Sequence, residues 1–376
     1  MRNDCPGSVV RSSKEKLGKA WLVSGTLVFF SLILSLTVGQ ERSAAKVVGR
    51  VAGWAPGDIL VQGSYAYLAN GESGLQIIDV SDPSAPKKVS SLSTPGEAEA
   101  IHVQGDYAYL LDENVEEDKD KKTGLRIIDV SNPSRPKEVA FFDTPGKAEE
   151  VYVQGDYAYL ADEKAGLRII DVSNPSTPRE VGFFSQEEGS LKAMGPAVGV
   201  YIQGSYAYLA ELFAGLRIID VSNPSAPREV GRARTPGWVY AVYVQDDYAY
   251  VIDEMDKKTG LRIIDVSNPS KPKEVAFFGT PGEAKEVHVQ GSYAYIADYC
   301  FGLGRPGLMV VDISNPSSPK RPEWYEKPSF SFIPGEAWED DLLFSAVAVS
   351  IQGDYAYVLD VVDGLYIINI SRAASP

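Results

Sequence analysis

The stretch Val153–Asp162, "VQGDYAYLAD", decides the fold, because the chain repeats it. Nearly the same letters stand at Val103–Asp112 ("VQGDYAYLLD") and at Val289–Asp298 ("VQGSYAYIAD"). The glutamine of the phrase occurs seven times, 42 to 62 residues apart, at Gln62, Gln104, Gln154, Gln203, Gln245, Gln290 and Gln352. Repeats with a spacing of this size are typical of solenoids, propellers and arrays.

Each repeat reads as four short strands. The first strand ends in Val-x-Val-Gln, as in Val151–Gln154, and a Gly-Asp or Gly-Ser dipeptide then signals a tight turn. The second strand is "YAYLAD", with alternate side chains on opposite faces. "GLRIIDV" from Gly166 is the third strand, and its paired isoleucines indicate burial on both faces. "SNPSTP" must turn, since proline cannot donate to a strand ladder, and "REVGFF" is the fourth strand.

Seven such units predict an all-β, seven-bladed β-propeller over residues 46–376, with four antiparallel strands per blade. The two ends of the chain indicate how the ring closes. The seventh unit stops after "GLYIINIS" from Gly364 and lacks a fourth strand, whereas Lys46–Gly57 matches the fourth-strand segment Lys137–Gly146. We therefore expect Lys46–Ala52 to pair with Tyr366–Ile370, completing the last blade and removing an unpaired edge.

Residues 1–45 are predicted to lie outside this fold. Five basic residues stand in residues 1–19, and the apolar run Ala20–Gly39 then contains no charge, which is typical of an export signal. Two fates remain open: cleavage as a signal peptide, or retention as a signal anchor with one apolar helix across the membrane. Either fate predicts an exported propeller that is secreted, periplasmic or at the cell surface, and touches the membrane only through this segment.

Composition and motifs argue against several functional classes. The formal net charge is −15, and no basic patch follows the first twenty residues, so we expect no nucleic-acid partner. The two cysteines, Cys5 and Cys300, exclude a disulfide framework, and Cys300 reads as a half-buried small residue. Because no nucleophile elbow, zinc-protease, P-loop or dinucleotide motif appears, we expect no catalytic residue, cofactor or metal.

The phrase "GLRIIDVSNPSxP" resembles the LVIVD-repeat family, named for a strand of apolar residues that ends in aspartate. Leu167–Asp171 and Leu308–Asp312 are two such strands, and the resemblance covers all seven units, about residues 46–371. It implies an exported or surface propeller with no assigned activity, so there are no catalytic residues to carry over. Asn369 departs from the pattern, because it stands where the seventh unit should have aspartate.

Two acidic columns recur in the repeats. Aspartates that end the third strands, such as Asp171, are expected to accept backbone N–H groups of the following Ser-Asn-Pro turn. A second column ends the second strands, and we expect these side chains to cap the following loop, with metal binding as the alternative. Its members are Asn70, Asp112, Asp162, Glu211, Asp253, Asp298 and Asp360.

Loop lengths distinguish the two faces of the predicted ring. The turns after the first and third strands keep one length in all units, so one face is uniform. The other two loops vary: "ENVEEDKDKKTG" and "YCFGLGRPG" stand between second and third strands, and "EKPSFSFIPGEAWEDDLLFSA" between blades. Because loops on a rigid scaffold usually carry recognition, we expect the varied face to bind, with tolerated surface insertion as the alternative.

Three carboxylates are candidate ligand-binding residues of the central channel. Asp58, Glu150 and Glu286 occupy a column of the innermost strand that otherwise holds alanine or glycine. They favour a cation or a polyhydroxy ligand, and simple solvated charges are the alternative. His102 and His288, which share a column with tyrosines, are expected to fill tyrosine positions between blades and to lie too far apart for a shared metal.

Aromatic residues supply a second candidate surface. Trp238 and Tyr240, assigned to the first strand of the fourth unit, form one patch, and Trp338 with Phe330 and Phe332 forms another. Such platforms suit sugar or peptide contacts, and ordinary packing is the alternative.

These features predict a non-catalytic binding module for an extracytoplasmic protein or glycan. One alternative is a lyase or hydrolase in which Glu150 and Glu286 act as acid and base. The other is a structural component of a surface coat.

Overall fold

The computed structural model describes residues 46–52, 57–113, 123–163, 166–185, 195–255, 258–299, 307–322, 346–361 and 364–371. These residues form 27 β-strands and no helix. The strands build seven sheets, each antiparallel, which confirms the all-β, seven-bladed propeller. None of the described residues belongs to a helix long and apolar enough to cross a membrane. The predicted export segment, residues 1–45, lies outside the described residues.

Blades are numbered by the order of their first strands. Blade 1 contains β2 (Asp58–Gln62), β3 (Tyr65–Ala69), β4 (Leu75–Asp79) and β5 (Lys87–Leu92). Blade 2 contains β6 (Glu97–Gln104), β7 (Tyr107–Glu113), β8 (Gly124–Asp129) and β9 (Lys137–Asp143). Blade 3 contains β10 (Ala148–Gln154), β11 (Tyr157–Asp162), β12 (Gly166–Asp171) and β13 (Arg179–Phe184). Blade 4 contains β14 (Ala197–Gln203), β15 (Tyr206–Glu211), β16 (Gly215–Asp220) and β17 (Arg228–Ala233). Blade 5 contains β18 (Trp238–Gln245), β19 (Tyr248–Met255), β20 (Lys258–Asp265) and β21 (Lys273–Gly279). Blade 6 contains β22 (Glu283–Gln290), β23 (Tyr293–Tyr299) and β24 (Leu308–Asp312). Blade 7 contains β25 (Ala346–Gln352), β26 (Tyr355–Asp360), β27 (Gly364–Asn369) and β1 (Lys46–Val51).

The N-terminal strand closes the ring as predicted. β1 pairs antiparallel with β27, and the pairs run from Lys46 opposite Asn369 to Val51 opposite Leu365. The paired part of β27 thus begins one residue earlier than expected. A Cβ added to Gly49 would lie 2.0 Å from the carbonyl oxygen of Pro83 in blade 1. Gly231 of blade 4 approaches Pro269 of blade 5 in the same way, so β1 packs like an internal fourth strand.

Blade 6 differs from its neighbours. Among the described residues it has three strands, and a single bridge between Asp312 and Lys320 stands where a fourth strand would begin. Residues 323–345, which follow, lie outside the described residues.

The core lies between blades. Consecutive residues Ile77 and Ile78 of β4 are both fully buried, and they face opposite neighbours. Ile77 packs with Ile101 of blade 2, whereas Ile78 packs with Leu359 of blade 7. A third strand therefore needs apolar side chains on both faces, as its paired isoleucines indicated.

The turns on the uniform face are fixed by short side chains. The N–H of Ser173 donates to Oδ1 of Asp171 at 3.0 Å, and the same bond recurs at the other third-strand aspartates, as predicted. Asn369 replaces aspartate without losing the bond, because its Oδ1 accepts the N–H of Ser371 at 2.9 Å.

The recurrent glutamine links each blade to the next at this face. Its Nε2 donates to the backbone oxygen of the residue at the following blade's tight turn, and the last of the seven bonds returns from Gln352 to Gly63. We call this set the glutamine ring. The accepting glycines have a positive φ near 60°, which glycine adopts without steric cost, and Asp246 takes the same conformation in blade 5.

The second acidic column has partners on the neighbouring strands. In blades 2 to 5 these carboxylates are buried and pair with an arginine of the third strand. Arg217, for example, is fully buried between Glu211, at 2.6 Å, and Glu229 of the fourth strand. Sequence reasoning did not find these arginine partners, because each lies across a strand pair rather than next in the chain; most residues of the loops that these carboxylates were predicted to cap lie outside the described residues. Blade 1 has the neutral combination Asn70 and Gln76 at the same positions.

Candidate functional site

The first strands of the seven blades surround a central channel with a cavity of about 260 Å³. Each first strand begins at the variable face and ends at the glutamine ring, so its residues lie at successive depths. We call Asp58, Glu150 and Glu286 the carboxylate tier. The next channel-lining position, two residues later and roughly 6.6 Å deeper by strand geometry, forms the aromatic tier.

Backbone donors hold the carboxylate tier. Oδ2 of Asp58 accepts the N–H of Ile101 in the next blade at 2.9 Å, and Oε2 of Glu286 likewise accepts the N–H of Val349 at 2.7 Å. Glu150 accepts the N–H of the residue that follows it, at 2.9 Å. No lysine or arginine is among the described residues that line the cavity. The carboxylates therefore have oriented dipoles as partners, but no cationic side chain there.

Burial dominates the electrostatics of this tier. The protein surrounds each carboxylate and leaves it open only to the channel, which raises the pKa of Asp58 to about 6 despite its two backbone donors. Burial raises the pKa of Glu150 and that of Glu286 well above their usual range, and the charge of Asp58 adds to both shifts. The three groups stand in blades 1, 3 and 6, so they surround the channel axis and repel one another.

The aromatic tier forms a continuous arc over five blades. Ring centroids are 4.6 Å apart from His102 to Tyr152, 4.8 Å from Tyr152 to Tyr201, 4.6 Å from Tyr201 to Tyr243, and 4.8 Å from Tyr243 to His288. The histidines thus fill tyrosine positions between blades, as predicted. Burial lowers the pKa of each histidine to about 4, so both imidazoles are neutral at pH 7.

These groups do not form a metal centre. Within the described part of the chain, no three histidine, cysteine, aspartate or glutamate side chains are arranged to hold a metal ion. The three channel carboxylates belong to that part, and so do His102 and His288, which stand at the two ends of the aromatic arc.

A second acidic cluster lies near the variable face, between blades 2 and 3. Nζ of Lys147 lies 2.9 Å from Glu113, 3.0 Å from Glu149 and 3.5 Å from Glu99. The pKa of Glu99 is raised to about 7, mainly by burial and secondly by its hydrogen bond with Glu113. The pKa of Glu149 is also raised to about 7, mainly by burial and secondly by its hydrogen bond with Glu163. Sequence reasoning missed this cluster, although the charge-rich letters "PGKAEE" after a Pro-Gly turn were its signal.

Trp238 belongs to a different blade from the one assigned by sequence. It begins β18 of blade 5, because it precedes the fifth glutamine, Gln245. Trp238 is 52% exposed and Phe213 of blade 4 is 55% exposed, and their ring centroids are 5.5 Å apart in an edge-to-face arrangement. Met255 is also exposed, beside a groove of about 370 Å³ that Trp238 lines. We call Phe213, Trp238 and Met255 the aromatic patch.

Tyr240 does not belong to this patch. Burial raises the pKa of Tyr240 to about 12, and Nζ of Lys285 lies 5.4 Å from the centre of its ring. The other aromatic candidates, Trp338 with Phe330 and Phe332, lie outside the described residues, as does Cys300.

Most residues of the variable-length loops also lie outside the described residues, but the ends of the strands that they connect are described. The loops leave from the ends of second strands, as at Glu113, or from the ends of fourth strands, as at Phe184. In an antiparallel sheet these ends lie opposite the turns after first and third strands. The strand order therefore supports the predicted division into a uniform and a variable face.

Comparison with known proteins agrees with this architecture. Solved structures with the same fold include the β-propeller domain of Myceliophteria thermophila Cps50 (Swd1), with a TM-score of 0.61 and 9% identity over 86% of this chain and 98% of that chain. The computationally designed Ika8 protein has a TM-score of 0.59 and 6% identity over 87% of this chain and 100% of that one. A functionally unknown protein from Desulfotomaculum acetoxidans has a TM-score of 0.57 and 14% identity over 70% and 84%.

No curated protein matches the chain. Seven of its segments match the family described as "LVIVD repeat": residues 54–94, 95–144, 145–185, 194–235, 236–280, 281–326 and 345–376. One match falls on each blade, and together they span nearly all of the propeller. The chain belongs to the LVIVD-repeat family.

Proposed function

We propose that this protein is an exported, non-catalytic binding module that engages an extracytoplasmic protein or glycan through its variable face. Export rests on the basic segment and the apolar run within residues 1–45. Repeat propellers with closed rings are generic interaction scaffolds, because their loops vary while the blades stay rigid.

The observation that carries the proposal is the difference between the two faces. On the uniform face, the glutamine ring links neighbouring blades and the third-strand aspartates hold short turns of constant length. At the variable face, the aromatic patch leaves Phe213 and Trp238 more than half exposed next to each other. Adjacent exposed aromatic side chains are enriched where proteins bind partners, since each ring offers a large apolar area with few rotatable bonds.

The test compares variants of the full-length protein in mild detergent, using a glycan array and capture of exported proteins. Phe213→Ala combined with Trp238→Ala should reduce capture of the partner at least tenfold, because about 1.4 kcal/mol of lost contact is enough for that change. Phe183→Ala is the matched control, since Phe183 is 55% exposed on the outer strand β13.

Two loop trims extend the test to the rest of the face. Shortening Glu113–Thr123 or Lys327–Leu343 should also weaken binding if those loops contribute to recognition. Binding that survives both trims and the aromatic double variant would overturn the proposal.

An enzymatic function is the second candidate, and the raised pKa of Glu150 and of Glu286 favours it. A carboxyl group that keeps its proton near neutral pH can serve as a general acid in a lyase or hydrolase. Turnover of polysaccharide or glycoside substrates that disappears in both Glu150→Gln and Glu286→Gln would establish this function. Activity that persists in both variants would exclude these carboxylates from it.

A further inference from the structure

We propose that the central channel binds a short linear diamine, with one ammonium group at the carboxylate tier and a second amine near the histidines of the aromatic tier. This ligand site goes beyond the proposed partner binding. It uses channel residues only, so it does not depend on the aromatic patch.

Charge is the first reason. Three carboxylates line a cavity whose described lining contains no lysine or arginine, and every hydrogen bond that they accept comes from a backbone N–H. One oxygen of Glu150 and one of Glu286 accept no bond from the described protein atoms. Buried carboxylates are normally paired with a cation or kept protonated, so a cationic ligand would relieve the repulsion within this tier.

The arrangement of the carboxylates selects the kind of cation. Asp58, Glu150 and Glu286 approach from blades 1, 3 and 6, which places them around the axis rather than side by side. A primary ammonium has three N–H donors that point in different directions, and so can address several acceptors around an axis. A bare metal ion needs closer convergence, which the described side chains do not provide.

The histidines supply an independent second observation. His102 and His288 line the same cavity, are partly buried, and have no hydrogen-bond partner among the described residues. As neutral imidazoles, each can accept a hydrogen bond from a ligand in the channel. They lie about 6.6 Å below the carboxylate tier by strand geometry. The two nitrogens of an extended four-carbon diamine are about 6 Å apart, given bonds of about 1.5 Å, so one molecule reaches both tiers.

Size supports a small ligand. The cavity of about 260 Å³ is below the range of roughly 300–1,000 Å³ that is usual for drug-sized ligands. The tyrosine rings of the arc and Leu60 line this cavity and offer apolar surface to an alkyl chain.

The experiment is calorimetric titration of the full-length protein in mild detergent at pH 7.5 and low salt, with 1,4-diaminobutane as the probe. We expect saturable binding with one site per chain. Butylamine, which lacks the second amine, should bind at least tenfold more weakly, and glucose and calcium chloride should give no comparable signal. Tighter binding of calcium or glucose than of the diamine would overturn the proposal, and so would the absence of diamine binding.

Variants locate the site. Glu150→Gln combined with Glu286→Gln should weaken diamine binding at least tenfold, whereas Glu72→Gln, a change in an exposed loop, should leave it unchanged. His102→Phe combined with His288→Phe should reduce the preference for the diamine over butylamine. Thermal unfolding of each variant separates lost binding from lost folding. Undiminished binding by a folded glutamine double variant would also overturn the proposal.

One further variant separates this inference from the proposed function. Phe213→Ala with Trp238→Ala should keep full diamine binding even if it abolishes partner capture. Loss of both activities in that variant would contradict the independence of the two sites.

Discussion

Nε2 of Gln352 donates to the carbonyl oxygen of Gly63 at 2.7 Å, and the N–H of Gly63 donates back to Oε1 of Gln352 at 3.0 Å. The two residues are 289 positions apart in the sequence, so this pair joins the last blade to the first. The same glutamine-to-turn contact links every other pair of neighbouring blades, which makes ring closure an ordinary blade interface.

We predict that Gln352→Ala destabilises the protein by about 1–3 kcal/mol, since it removes two hydrogen bonds worth about 0.5–1.5 kcal/mol each. Gln62→Ala is the control, because the Gln62 side chain donates one such bond, to Gly105. Urea unfolding measures both losses. A loss from Gln352→Ala no larger than that from Gln62→Ala would contradict an additive contribution of the reciprocal pair.

A second prediction concerns the N-terminal strand. Deleting Lys46–Val51 removes the partner of β27 and exposes an unpaired strand edge, which promotes association between chains. We expect a lower unfolding temperature and dimers or larger species in size-exclusion chromatography. Replacing the strand with the sequence of Lys137–Phe142, the fourth strand of blade 2, should restore a monodisperse protein. A deletion variant with unchanged stability and size would show that β1 is dispensable for closure.

The buried arginines give a third prediction. Arg217→Gln leaves Glu211 buried without its cation, and breaking a buried ion pair in this way costs about 3–5 kcal/mol. Adding Glu211→Asn removes the uncompensated charge and gives the neutral Asn and Gln combination that blade 1 has at Asn70 and Gln76. The double variant should therefore recover at least half of the lost stability in chemical denaturation. Equal stability of the single and double variants would argue against an uncompensated charge as the cause.

The channel carboxylates should make stability depend on pH. Because the folded-state pKa of Asp58 is raised from 3.8 to about 6, its favourable contribution is complete below pH 4 and disappears as the pH rises through 6. Glu150 and Glu286 affect stability in the same direction, because their pKa values are also raised. Their favourable contribution is complete below their ordinary pKa of 4.5 and is lost as the pH rises above it. Glu150→Gln should therefore stabilise the protein more at pH 7.5 than at pH 4, as measured by unfolding temperature. A gain that does not change with pH would contradict the raised pKa.

The contribution of the histidines to stability depends on pH in the opposite direction. Burial depresses the pKa of His102 and that of His288 from 6.5 to about 4, so their contribution is present above pH 6.5 and is lost as the pH falls through 4. Comparing Glu150→Gln with His102→Phe over the same pH range separates the two effects. The change in unfolding temperature caused by Glu150→Gln should become more favourable as the pH rises, whereas the change caused by His102→Phe should become more favourable as the pH falls.

Much of the fold could be predicted from the repeated phrase. Apolar alternation, Pro-containing turns and the tight-turn glycines are local features, and each of them acts through a few neighbouring residues. Closure was also predictable, because β1 has the composition of the strand that the seventh unit lacks. The partner of Glu211 was not predictable in this way, since Arg217 reaches it only after the second and third strands align in one register.

The sequence by itself determined the number of blades, the identity of the closing strand and the uniformity of one face, because a repeated local pattern dictates a repeated local structure. Only the tertiary structure decided which side chains meet around the axis. Asp58, Glu150 and Glu286 are far apart in the chain, and so are His102 and His288. They line one cavity because ring closure brings the seven first strands together, and burial there, rather than residue type, raises the pKa of the carboxylates and lowers that of the histidines.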